Sequence, residues 1–153
     1  MTTYVDSSAL VAVYVPERFS RAARQALRGA PQVPFTQLHE LEVSNAFELL
    51  VGRGLISREE CRAVQAQLQQ DIDSQRLLRV SLDLDAVFTS ARELSRAYTA
   101  KFLARSLDLL HVAAAHVVVC TTFVSADDRQ LTVAKATGLD TIDIKRRVRR
   151  RKS

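Results

Sequence analysis

The sequence predicts an α/β fold of three layers around a short, mostly parallel sheet. Three observations predict it. Short apolar or β-branched runs alternate with longer helical segments along the whole chain. Several of those runs end on a polar residue able to cap the helix that follows. No internal repeat or linker breaks the alternation.

The elements follow in order. Tyr4-Val5 is a short apolar run ending at Asp6 and reads as a first strand. Ser7 to Val15 reads as a helix that Pro16 ends, because proline cannot sit in a helix interior. Arg21 to Leu27 reads as a second helix, closed by Gly29. Gln32 to Phe35 is a short strand, after which Thr36 caps a helix reaching about Arg53, where Gly52 and Gly54 stop it. Ser57 and Glu60 form a capping box for a helix to about Gln75. Leu77 to Val80 is a strand, and Asp83 begins a helical segment reaching about Ala104. Ser106 starts a helix to about Val118 that is apolar nearly all round, so it should be buried. Thr121 to Ser125 is β-branched and aromatic, hence a strand. Asp127 opens a helix ending at Gly138, and Thr141 to Ile144 is the last strand.

A chain of 153 residues fits one domain and is long enough to bury a full core. With 47% hydrophobic and 25% charged residues it has the composition of a globular protein. The domain is expected over residues 1–144, followed by a basic tail, 145–153, expected to be disordered. That tail holds Lys145, Arg146, Arg147, Arg149, Arg150, Arg151 and Lys152 and no acid. Without these seven charges the net +5 becomes −2, so a mildly acidic body carries a strongly basic end. Such an end favours polyanions, and Arg146, Arg147, Arg149, Arg150 and Arg151 are the candidate contacts to one.

The first residues show no basic, apolar leader, and the most apolar run, Val112 to Val119, is far short of the roughly 20 residues of a membrane span. The expectation is a soluble, cytoplasmic protein with no membrane partner. Cys61 and Cys120 form no CxxC pair and have no metal-ligand spacing with His39, His111 or His116. They read as buried thiols in a reducing compartment.

The candidate chemistry lies in separated acids. Asp6 and Asp127 each follow a strand and precede a helix, so in an open parallel sheet both lie at carboxyl ends of strands, where such sheets bind ligands. Asp108 enters the first turn of the apolar helix, and Glu42 lies inside the helix after the second strand. Taken singly, Asp6 and Asp127 could be helix caps and Asp108 a partner of the helix dipole. Together they suggest more. A carboxylate in an apolar helix is costly unless paired or bound to metal. Several carboxylates brought together repel one another, and a divalent cation removes that conflict. Hard oxygen ligands suit Mg²⁺, with Mn²⁺ as the alternative. No GxSxG, Cys/His pairing or Walker A motif offers a protein nucleophile or a phosphate loop. The first strand continues Asp6-Ser7-Ser8, which lacks the paired acids that haloacid-dehalogenase-like phosphatases and response-regulator receivers need.

At these residues the chain resembles the PIN-domain ribonucleases, and among them the VapC-like toxins of toxin–antitoxin pairs. Tyr4-Val5-Asp6-Ser7-Ser8-Ala9-Leu10 resembles the opening strand with its first acid. Leu41-Glu42-Val43-Ser44-Asn45-Ala46, followed by Gly54-Leu55-Ile56-Ser57, resembles the helix of the second acid. Leu107-Asp108-Leu109-Leu110-His111-Val112-Ala113 resembles that of the third. Phe123-Val124-Ser125-Ala126-Asp127, then Leu131, Ala134 and Gly138-Leu139, resembles the terminal motif. The likeness spans residues 3–144 in the right order. It implies metal-binding acids at Asp6, Glu42, Asp108 and Asp127, with Ser125 as a supporting hydroxyl where threonine is more usual. It further implies Mg²⁺-dependent endoribonuclease activity, a homodimer and a cognate antitoxin.

Two assignments stay open here. Glu40 competes with Glu42: two apart on a helix, they point to nearly opposite sides, and only the motif prefers Glu42. Asp128 adjoins Asp127 and is either a fifth acid or a solvated one. His111, three residues after Asp108, could pair with it, though a packed histidine fits as well; His39 and His116 read as structural or surface. Alternatives to the toxin are a PIN-type RNA-processing nuclease without an antitoxin and a non-catalytic RNA-binding module. Removing residues 145–153 is expected to weaken RNA binding and flatten its dependence on salt, measured by titration at several salt concentrations. Unchanged affinity and slope would reduce the tail to a solubiliser.

Overall fold

Helix caps set the framework. The structure is a computed structural model that describes residues 3–146. β1 (Thr3–Val5) runs into α1 (Ser7–Tyr14), capped by the Asp6 carboxylate. α2 (Ser20–Arg28) and β2 (Val33–Thr36) follow. Thr36 then caps α3 (Gln37–Gly52), and the Ser57/Glu60 box caps α4 (Arg58–Asp73). After β3 (Leu77–Val80), Asp83 caps α5 (Leu84–Leu94). α7 (Ser106–Val117), β4 (Thr122–Ser125), α8 (Asp128–Ala136) and β5 (Asp140–Asp143) complete the chain after the short elements described next.

The one long helix expected from Asp83 to Ala104 is interrupted. A π-helical turn (Ser95–Thr99) separates α5 from a single turn, α6 (Ala100–Phe102). Leu103 then adopts a left-handed conformation, φ 55°, which ends the helix as glycine commonly does.

Alternate residues of the strands face two separate cores, which makes the layers. Val5 and Val124 face a core built from α1, α2, α3 and α4 with Val33, Phe35 and Leu77. Tyr4 and Phe123 face the other, built from α5, α7 and α8. The three-layer α/β/α arrangement therefore forms as the alternation predicts. All strand pairs are parallel: β4 lies between β1 and β5, and β2 pairs β3. The expected single sheet is hydrogen-bonded as two sheets, of three and two strands, with a histidine joining them where β1 meets β2. His39 is fully buried and its Nε2 donates to the Val5 carbonyl at 2.7 Å. Its Nδ1 accepts from the Thr36 N–H at 3.1 Å, which fixes the neutral Nε2–H tautomer. His39 is thus structural, as the sequence suggested.

Arg147–Ser153 lie outside the described residues, and with them most of the basic tail and four of its five candidate arginines. Lys145 is described, and its ammonium pairs with Asp128 at 2.8 Å and Asp143 at 2.9 Å. Among the described residues no helix is long and apolar enough to cross a membrane.

Burial pulls the His39 imidazole down to about 3, from 6.5 in an exposed chain. The unfolded chain therefore takes up a proton below pH 6.5 that the fold refuses. Stability from this group is complete above that pH and falls as pH drops toward 3, by up to about 1.4 kcal/mol per pH unit. His39→Gln is expected to flatten the urea-midpoint profile between pH 6.5 and 4 relative to the parent; parallel profiles would contradict the assignment.

Candidate active site

The parallel register sets Val5 against Val124, so the next residues, Asp6 and Ser125, leave the sheet side by side. Asp6 is 1% exposed. Its Oδ1 accepts from the Ala9 N–H at 2.8 Å, its Oδ2 from the Ser125 hydroxyl at 2.7 Å, and Ser8 Oγ lies 3.0 Å from both oxygens. Burial pushes the Asp6 carboxyl above its ordinary range, against the pull of the Ala9 N–H, the Ser125 hydroxyl, His111 and the Ser8 hydroxyl. Ser125 also accepts from the Asp127 N–H at 2.9 Å, so one buried hydroxyl ties the first acid to the backbone of the last. Asp127 caps α8 through Oδ1, which accepts from the N–H groups of Arg129 and Gln130 at 2.9 and 3.1 Å.

The second pair of acids comes from opposite layers. Glu42 rises from α3, and its Oε1 accepts from the Ser7 hydroxyl at 3.0 Å and meets His111 Nε2 at 2.5 Å. Partial burial would raise Glu42, but the hydrogen bond and charge of His111, with the Ser7 hydroxyl, hold it below the usual carboxylate range. Asp108 is 4% exposed in the first turn of α7. Its Oδ2 accepts from the Arg105 N–H at 2.9 Å, with the exposed Arg105 guanidinium 3.6 Å away.

The competing acids separate. Glu40 points to solvent and pairs with Arg79 of β3 at 3.4 Å, while Glu42 turns inward. Asp128 is exposed and is held by Lys145, which it shares with Asp143. His111 is packed, yet its partners are Tyr4, Ser7 and Glu42. The pairing with Asp108 considered above does not form, because the Asp108 carboxylate turns back to cap its own helix. Sequence reasoning missed Ser7, Tyr4 and His111 as parts of this cluster. The signals available were position alone: Ser7 follows Asp6, Tyr4 is two residues before it on the strand, and His111 is one helical turn beyond Asp108.

Beside the cluster lies a cavity of about 420 Å³, lined in part by Ser7, Ser8, Glu17, Phe19, Glu42 and Ala46. Among the described residues no three His, Cys, Asp or Glu side chains converge into a ready cage for an ion. The donor set is all hard oxygen, and the hydrogen bonds leave Glu42 Oε2 and Asp108 Oδ1 unused among the described residues. An open set of this kind fits Mg²⁺, which keeps several waters and takes only one or two carboxylates directly.

The family model described as PIN domain matches residues 3–136. The chain belongs to the PIN-domain family. PIN domains are generally nucleases, and those nucleases generally use divalent metal ions. A search of curated proteins finds no match. Solved structures share the PIN fold at low identity. FitAcB from Neisseria gonorrhoeae is 13% identical, with a TM-score of 0.66 over 95% of this chain and 100% of that one. VapBC2 from Rickettsia felis, bound to a DNA fragment from its promoter, is 15% identical, with a TM-score of 0.63 over 94% and 98%. A toxin–antitoxin complex from Klebsiella pneumoniae is 14% identical, with a TM-score of 0.59 over 94% and 98%.

Proposed function

We propose that this PIN-domain chain is a metal-dependent endoribonuclease and the toxin of a toxin–antitoxin pair. One observation carries the catalytic reading. Asp6 is buried at the end of β1, Glu42 is half-buried nearby, and among the described residues neither has a Lys or Arg partner. For Asp6, which burial pushes above the ordinary carboxylate range, a cation from outside the chain would favour the anion.

Asp6, Glu42, Asp108 and Asp127 would hold that cation, with Mg²⁺ or Mn²⁺ suited to their oxygen donors. When bound, the ion supplies Lewis acidity toward a phosphate oxygen and a lowered pKa for an attacking water. The chain's own part is placement. Ser125 donates to Asp6 Oδ2 and Ala9 N–H to Oδ1, so the remaining lone pairs of Asp6 have a fixed direction. Ser7 and His111 do the same for Glu42 by engaging Oε1 only. The cavity beside Ser7, Ser8 and Glu42 opens this edge of the site to solvent.

The toxin role and the antitoxin partner are supported by the sequence motifs and by similarity to a toxin–antitoxin complex and to VapBC2. RNA as substrate, and a homodimer as the working form, follow from the VapC-like motifs. The acids, not the fold, decide the activity. With Mg²⁺ or Mn²⁺, the purified chain is expected to cleave RNA and to stop when EDTA is added. Asp6→Asn and Asp108→Asn should abolish cleavage while circular dichroism stays that of the parent. Unchanged cleavage by either variant would contradict the assignment of the site.

A further inference from the structure

Glu42 is the acid on which local packing acts most directly. Its carboxylate projects from α3 toward α7, where His111 is 2% exposed. The imidazole is engaged on both sides. Tyr4 Oη lies 2.8 Å from Nδ1, and Glu42 Oε1 lies 2.5 Å from Nε2. Tyr4 is fully buried in β1, two residues before Asp6. A carboxylate oxygen can only accept, so Nε2 carries a proton that faces Glu42, and the Tyr4 hydroxyl anchors the ring from the Nδ1 side. Ring packing restricts the imidazole further: Tyr4 and His39 meet its edge, with centroids 5.8 and 5.5 Å away.

We propose that His111, anchored by Tyr4, is a positioning residue that fixes the Glu42 carboxylate for a divalent cation. The inference rests on the metal-dependent reading above. Its physical basis is that a hydrogen bond to one carboxylate oxygen sets the direction of the other. Partners of this kind, one step behind a metal ligand, commonly change metal affinity by about 10–100-fold when removed. Ser7 supplies a second, weaker restraint on the same oxygen at 3.0 Å. The route runs from β1 through Tyr4 and α7 to α3, so the strand that carries Asp6 also aims Glu42.

The test is Mn²⁺ binding to the full chain, followed by electron paramagnetic resonance, with thermal melting alongside. His111→Asn keeps an amide near the Nδ1 position but withdraws the donor from Glu42. His111→Gln can return an amide N–H to the Nε2 position. Tyr4→Phe leaves the imidazole and removes its anchor. Expected is Mn²⁺ affinity at least tenfold weaker in His111→Asn, largely regained in His111→Gln, and weakened in Tyr4→Phe, while the two histidine variants melt alike. Equal weakening in His111→Asn and His111→Gln would reduce His111 to packing and overturn the inference. So would parent-like affinity in His111→Asn, provided Glu42→Gln is weakened. If His111→Asn does not fold, Tyr4→Phe decides, and parent-like affinity there overturns it. Parent-like affinity in Glu42→Gln would instead remove the metal reading of Glu42, and this inference with it.

Discussion

A carboxylate buried at the end of a strand, with no lysine or arginine paired to it among the described residues, governs the rest of this structure. Asp6 receives four hydrogen-bonding contacts from three donors, Ala9, Ser8 and Ser125, and all are neutral. They offset part of the cost of desolvation, yet burial still raises the Asp6 carboxyl. Each donor is placed by an element of the fold. Ala9 and Ser8 belong to the helix that Asp6 itself caps, and Ser125 ends the strand paired to β1. The chain thus gives the Asp6 carboxylate a preset geometry, and under the proposed function a divalent cation would balance its charge. A fold optimised for stability alone would replace such a group with an apolar one.

Glu42 and Asp108 extend this pattern from both flanking layers. The α3 side supplies Glu42 and the α7 side supplies Asp108 and His111, so the site needs all three layers at once. His39 holds a related place between the two sheets. By bonding the Val5 carbonyl it joins β2 to the strand that ends at Asp6.

Much of this was legible in the sequence because it depends on local rules. Asp6, Thr36, Ser57, Asp83 and Asp127 all cap helices, as their positions before periodic segments imply. The apolar helix after Ser106 is buried for the reason its composition gave. What stayed hidden depends on contacts between distant residues. Periodicity put Glu40 and Glu42 on different faces without saying which face meets α1 and α7. Only the packing of α3 settles that, sending Glu42 to Ser7 and His111 and Glu40 to Arg79. The spacing of His111 suggested Asp108 as its partner, since helix neighbours are visible in sequence. Its actual partners are 107, 104 and 69 residues away, beyond any local pattern. The split of the sheet was hidden likewise, as was the His39 side chain that reaches from α3 to the Val5 carbonyl beside it.

The most direct measurement is anomalous scattering from crystals of the full chain grown with Mn²⁺. Metal binding at the acidic cluster predicts a peak bordered by Asp6 and by one or more of Glu42, Asp108 and Asp127, with waters completing the shell. A peak confined to other residues, or none at saturating Mn²⁺, would contradict the view that these buried acids are there to hold a cation.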